Sequence, residues 1–101
     1  MTVHGNFIAG EAAATTNATP NINPSDTRDV IGEFAQASAD DVARASEAAR
    51  EAFVKWSRTT PQQRADILFT VSDELFRRRE DLGEQLAREE GKTRAEGIGE
   101  V

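Results

Sequence analysis

Thr60-Pro61-Gln62-Gln63-Arg64-Ala65-Asp66-Ile67-Leu68-Phe69-Thr70-Val71-Ser72-Asp73-Glu74-Leu75-Phe76 decides how the rest of the chain is read. Thr60 supplies a capping hydroxyl, Pro61 suits the first helical position, where no N–H partner is needed, and Gln63 completes a capping box. Ala65, Leu68, Val71, Leu75 and Phe76 then recur at helical spacing. Ile67 and Phe69 widen that stripe. The pattern predicts a helix that buries its apolar side against more than one neighbour.

The same grammar extends in both directions. Ser38, with Asp41 three residues on, predicts the start of an earlier helix. Val42, Ala45, Ala49, Ala52, Phe53 and Trp56 make one face of it, and Ser57 to Thr59 end it. Downstream, a break is expected near Arg79 to Asp81. A shorter helix on Leu82 and Leu86 follows and stops at Gly91, a good residue for the left-handed end of a helix. Thr93 with Glu96 opens a fourth helix. Gly97 and Gly99 weaken it by about 1 kcal/mol each relative to alanine, so it needs packing from a partner. Glycines two apart also permit close backbone approach.

Upstream, residues 1–29 are irregular and rich in Asn, Thr, Ala and Pro. Phe7-Ile8 before Gly10 reads as one arm of a hairpin, and Thr15 to Pro24 as loop. Asp29 to Ala37 reads as a strand, with Val30, Gly32, Phe34 and Gln36 alternating against Ile31, Glu33, Ala35 and Ala37. The expected class is α+β: a short β arm or hairpin, one strand, then three to four helices. The β arm and loop occupy 1–37 and the helical part 38–101.

Composition narrows the function classes. Of 101 residues 38% are apolar, and the only aromatics are Phe7, Phe34, Phe53, Phe69, Phe76 and Trp56, so any core is thin. A net charge of −6 opposes a nucleic-acid or anionic-membrane partner, whose phosphates would be repelled. Of the 12 basic residues only Lys55 and Lys92 are lysines, a bias that fits either high salt or a GC-rich genome. The absence of cysteine excludes disulfides, thiolate zinc sites and thiol catalysis within these residues. The first ten residues lack the basic and apolar regions of a signal peptide. No apolar run approaches the roughly 20 residues of a membrane span, and a cytoplasmic protein is expected.

Each residue type that could carry chemistry has a plainer reading. His4 is the only histidine and has no cysteine neighbours with which to ligate a metal. Arg77-Arg78-Arg79 sits among Asp73, Glu74, Glu80 and Asp81 at a helix end, where basic residues favour the helix dipole. Glu89-Glu90 and Asp40-Asp41 are adjacent on helices and so point about 100° apart, unlike a catalytic dyad. Gly91-Lys92-Thr93 matches the end of a phosphate-binding loop, but that motif's first glycine would fall at Leu86 and a helix precedes it. Gly97-Ile98-Gly99 has no preceding strand and no third glycine in reach, as a dinucleotide fingerprint requires. Ser25, Thr27, Ser57 and Ser72 lack a nucleophile elbow and a nearby histidine. No catalytic, cofactor-binding or metal-binding residue is therefore assigned.

The order of several short motifs says more than any of them alone. Asn6-Phe7-Ile8-Ala9-Gly10-Glu11 is followed by Asn23-Pro24-Ser25-Asp26-Thr27-Arg28-Asp29-Val30-Ile31-Gly32. Then come Ala48-Ala49-Arg50-Glu51-Ala52-Phe53 with Trp56, Arg64-Ala65-Asp66-Ile67-Leu68, and Arg78-Arg79-Glu80-Asp81-Leu82. Glu89-Glu90-Gly91-Lys92-Thr93 and Glu96-Gly97-Ile98-Gly99-Glu100-Val101 close the series. Along almost its whole length the chain resembles the amino-terminal part of the aldehyde dehydrogenase superfamily. Asn23 to Thr27 and Arg88 to Val101 look most like the branch that oxidises α-ketoglutaric semialdehyde.

That resemblance implies an NAD(P)-dependent oxidation of an aldehyde to a carboxylate. A cysteine thiolate attacks, a glutamate activates water, and amide donors hold the oxyanion. None of these groups maps onto residues 1–101. The chain is thus expected to be an incomplete part of the α/β cofactor-binding domain, inactive alone, with NAD or NADP belonging to a full-length protein. The expected partners are the remainder of the dehydrogenase fold and further copies in a homo-oligomer. Phe53, Trp56, Leu68, Val71 and Leu75 would be packing residues. The chain departs from the family at Ala12, where an aromatic is usual, at Ser46 on an otherwise aliphatic position, and at Arg94-Ala95. The abrupt end at Val101 is read as the edge of a fragment. The alternative is a stand-alone, non-catalytic helical interaction module presenting Ile67 to Phe76. A third reading leaves the polar first 29 residues unordered.

Overall fold

The computed structural model describes residues 2–101. Short strands come first: β1 (Val3–His4), β2 (Phe7–Ile8), β3 (Glu11–Ala12), β4 (Ala18–Ile22) and β5 (Val30–Ala35). Four helices follow among the described residues: α1 (Ala39–Trp56), α2 (Pro61–Arg77), α3 (Arg79–Glu90) and α4 (Arg94–Glu100). This is the expected α+β order. The chain divides into two compact units. One holds residues up to 21 together with 32–59, and the other holds 22–31 together with 60–101.

In the first unit β2 and β3 form the expected hairpin, with Phe7 opposite Ala12 and Ile8 opposite Glu11. Its two-residue turn places both Ala9 (φ 55) and Gly10 (φ 83) in the left-handed region, the geometry whose twist matches a hairpin. Alanine at the first of these positions carries a Cβ clash worth about 1–2 kcal/mol. Ala12 faces Phe7 across the ladder, and a methyl there leaves Phe7 exposed. β1 pairs in parallel with β5 through Val3–Glu33 and His4–Phe34, and the His4 and Phe34 rings stack 4.8 Å apart. His4 is therefore an exposed strand residue with an aromatic neighbour rather than a loose terminal one.

Two expectations need correction. Thr15 to Pro24 is not all loop, because Ala18–Ile22 is a strand in a sheet of order β1-β5-β4. Pro20 masked it in the sequence, yet β4 lies at the sheet edge, where a missing N–H costs nothing. The strand expected over Asp29 to Ala37 spans only Val30–Ala35. Asp29 is held by side-chain bonds in the preceding turn, and the Gln36 N–H donates to the Asn17 carbonyl at 2.9 Å.

The helix starts fall where the caps predict. The Ser38 hydroxyl accepts from the Asp41 N–H at 3.1 Å while Asp41 accepts from the Ser38 N–H at 2.9 Å. Thr60 and Gln63 repeat the exchange at 3.2 and 2.9 Å, and Thr93 and Glu96 at 3.3 and 3.0 Å. Each box satisfies backbone donors that a helix start otherwise leaves unpaired. The break expected near Arg79 to Asp81 falls just before them, at the single residue Arg78 (φ −99, ψ 11), and Arg79 to Asp81 are already helical. Gly91 (φ 71) ends α3 in the left-handed conformation that a side chain disfavours.

In the second unit the closest packing is α3 against α4, and it depends on two glycines. A Cβ on Gly97 would fall on the Gly83 carbonyl oxygen, and one on Gly83 would lie 2.6 Å from the Ile98 backbone. The close approach suggested by the glycine pair is real for Gly97, while Gly99 faces open space.

Very little apolar surface is enclosed. Ala87, 8% exposed, is the one buried apolar side chain among the described residues, and α1 and α2 bury none. The accessible surface is 7825 Å² for 11.0 kDa. Even two separate compact bodies of half that mass would together expose only about 6,800 Å².

Candidate functional site

Most of the charged side chains that could have formed a reactive centre are engaged with near neighbours. Arg77 forks onto Glu74 at 2.9 and 2.5 Å, Arg78 stands 3.9 Å from the same carboxylate, and Arg79 lies 4.5 Å above the Phe76 ring. The arginine run is a helix end tied to its own helix. Lys92 Nζ sits 2.5 Å from both Glu90 and Glu100, which raises the lysine pKa, with the Glu100 bond contributing most. Gly91-Lys92-Thr93 is thus a joint between α3 and α4, not a phosphate cradle. Glu89 accepts from Gln85, Asp41 is occupied by its cap and by Arg44, and the Ser57 hydroxyl donates to the Val54 carbonyl at 3.3 Å. Among the described residues no group of three or more His, Cys, Asp and Glu could hold a metal ion. No described helix is long and apolar enough to cross a membrane.

Gly97-Ile98-Gly99 is not a dinucleotide fingerprint. That fingerprint needs a glycine turn between a strand and a helix start. Gly97-Ile98-Gly99 lies inside α4, with the Gly97 N–H donated to the Thr93 carbonyl at 3.0 Å and its Cα face closed by Gly83.

Two features stand out instead. The first is a polar cluster in the second unit. Arg88 on α3 forks onto Asp29 at 2.9 and 2.6 Å, and the Asn23 side-chain amide donates to the same carboxylate at 3.0 Å. The bond from Arg88, then that from Asn23, lowers the Asp29 pKa from 3.8 to about 2. Because 59 residues separate Asp29 from Arg88, no local pattern in the sequence announces this pair. A carboxyl with a lowered folded-state pKa stabilises fully above its unfolded value and loses that contribution as pH falls through the folded one. Acid titration followed through the NMR signals of Asp29 and Arg88 is therefore expected to show the fork opening between about pH 4 and pH 2, a change that Asp29→Asn abolishes.

The second feature is apolar. Leu68, Phe69 and Phe76 on α2 are 66%, 68% and 67% exposed, with Ile67, Val71 and Leu75 beside them. Ala65, Leu68, Phe69 and Ser72 line a shallow depression of about 310 Å³ on this face. In the first unit, Ala45, Ala48, Ala49 and Ala52 of α1 face the Phe7–Gly10 hairpin across a groove of about 450 Å³. Phe53 and Trp56 on α1 are exposed as well. A wide stripe that the sequence marks for burial is thus left uncovered.

Known proteins supply the context. A profile of the aldehyde dehydrogenase family matches residues 11–101. A 1-pyrroline-5-carboxylate dehydrogenase of Geobacillus thermodenitrificans is 40% identical over 86 residues, which cover 85% of this chain and 17% of that relative. One from Staphylococcus saprophyticus is 37% identical over 94 residues, 93% of this chain and 18% of its own. Among solved structures, a Sinorhizobium meliloti protein described as a methylmalonate-semialdehyde dehydrogenase, complexed with NAD, superposes with a TM-score of 0.86. It shares 37% identity over 100% of this chain and 21% of that one. An NAD-dependent aldehyde dehydrogenase of the same organism gives a TM-score of 0.91 at 30% identity, covering 98% of this chain and 20% of that one. The chain therefore spans about a fifth or less of the relatives it matches.

Proposed function

Because the chain belongs to the aldehyde dehydrogenase family, we propose that residues 1–101 are the amino-terminal scaffold of an NAD(P)-dependent aldehyde dehydrogenase. The observation that carries this reading is the uncovered apolar face of α2. A helix whose wide stripe stays in water is unfavourable by roughly 25 cal/mol for each Å² that a neighbour would bury. The neighbour proposed here is the remainder of the dehydrogenase fold. The cysteine thiolate lies in that remainder, since residues 1–101 contain no cysteine, and the proposal places the cofactor-binding groups there too.

The proposed substrate is an aldehyde that also carries a carboxylate. The names of the relatives, 1-pyrroline-5-carboxylate and methylmalonate-semialdehyde dehydrogenase, both specify a carboxylate, and the second also an aldehyde. The motifs from Asn23 to Thr27 and from Arg88 to Val101 favour α-ketoglutaric semialdehyde within the class. The same α2 face also suits a stand-alone module that pairs with another protein, and the test separates the two.

The test is the intact mass of the native gene product, with NAD(P)H formation assayed on a panel of carboxylate-bearing aldehydes. A product several times the 11.0 kDa of this chain that reduces NAD(P)⁺ on the panel is expected. The isolated 101 residues should show no turnover and no NAD binding. A native product of 11 kDa, or turnover by the pure short chain, would overturn the proposal.

A further inference from the structure

We infer that residues 23–29, the turn between β4 and β5, form a releasable strap, clamped to the α3–α4 joint by the Asp29–Arg88 fork. The turn is internally tied. The Asn23 N–H donates to the Asp29 carbonyl at 3.0 Å, the Ser25 N–H to Asn23 Oδ1 at 2.9 Å, and the Asp29 N–H to the Asp26 carbonyl at 2.8 Å. Arg28 forks onto Asp26 at 2.9 and 3.0 Å, so this second pair stays within the turn. These bonds survive if the turn moves as one piece.

Its hold on the helices is much slighter. Beyond the Arg88 fork, the Ser25 hydroxyl reaches the Gly91 carbonyl at a long 3.4 Å. Pro24 and Ser25 lie over Gly91 so closely that a Cβ there would be 2.8 Å from the proline ring. Of the apolar side chains flanking it, Ile22 is exposed, while Val30 and Ile31 are half-buried where the turn runs into β5. The fork is partly open to water, with Arg88 and Asp29 side chains 39% and 30% accessible. A bidentate arginine–carboxylate pair is directional and fails as a unit once either partner is altered. Breaking it frees the strap while its internal bonds and the helix caps remain. The Gly91 corner, now covered by Pro24, then becomes accessible.

Amide hydrogen exchange by NMR on the full chain tests this. Asp29→Asn and Arg88→Lys are each expected to speed exchange several-fold at the Ser25 and Asp26 amides and to leave α1 and the α3 interior unchanged. Asp26→Asn, which breaks only the internal pair, should leave the strap in place on Gly91. The doubly swapped protein, Asp29→Arg with Arg88→Asp, should restore protection. Unchanged strap exchange in both single variants would overturn the inference. So would an equal loss of protection through α2 and α3, because the pair would then be a staple of the whole unit. Failure of the swapped pair to restore protection would also count against it.

Discussion

Replacing Gly97 by alanine is expected to destabilise the α2–α4 unit by about 2–3 kcal/mol, near the upper end of the cost of overpacking. Helix propensity argues the other way, since alanine gains roughly 1 kcal/mol over glycine inside a helix. The clash wins because the new methyl meets the Gly83 carbonyl oxygen and lies 3.2 Å from the Ala87 nitrogen. Both are backbone atoms and cannot rotate aside. Helix α4 would have to move off α3, and the burial of Ala87 would go with it. Gly99→Ala is the control. Nothing stands within 4 Å of a methyl at that position, so only propensity acts, and a gain of about 0.5–1 kcal/mol is expected. Urea unfolding of the two variants followed by circular dichroism decides the matter. Shifts of the same sign would mean that α4 does not pack on α3 through Gly97.

Leu68→Ala and Phe76→Ala should behave differently in two contexts. In the 101-residue chain both side chains are already about two-thirds in water, so each change should stay within about 0.5 kcal/mol. In the proposed complete dehydrogenase the same residues are covered, and truncating a buried Leu or Phe costs about 2–5 kcal/mol. Thermal unfolding of each variant in the short chain and in the native product gives the comparison. Equal, small effects in both would remove the docking role assigned to α2. A related expectation is that the short chain self-associates with rising concentration, because its apolar face has no other cover.

Local patterns in the sequence were sufficient for the helices. Each start at Ser38, Thr60 and Thr93 is set by a side chain bonding to a backbone group three residues away, and the stop at Gly91 by a left-handed φ. These interactions close within one turn of chain, so they are legible one segment at a time. The hairpin at Ala9–Gly10 and the family membership were legible for the same reason, as short motifs in order. Strand β4 was not. A five-residue stretch holding Pro20 takes its extended form from β5 beside it, and pairing is a property of two strands.

The sequence by itself determined the capped helix starts at Ser38, Thr60 and Thr93, the stop at Gly91, and that residues 1–101 carry no thiol. Only the tertiary structure decided which glycine is indispensable, since Gly97 and Gly99 are equivalent in propensity and differ solely in what lies opposite. It also decided that Asp29 answers to Arg88 across 59 residues, because a contact that distant leaves no trace in local periodicity and exists only once the turn and α3 are brought together.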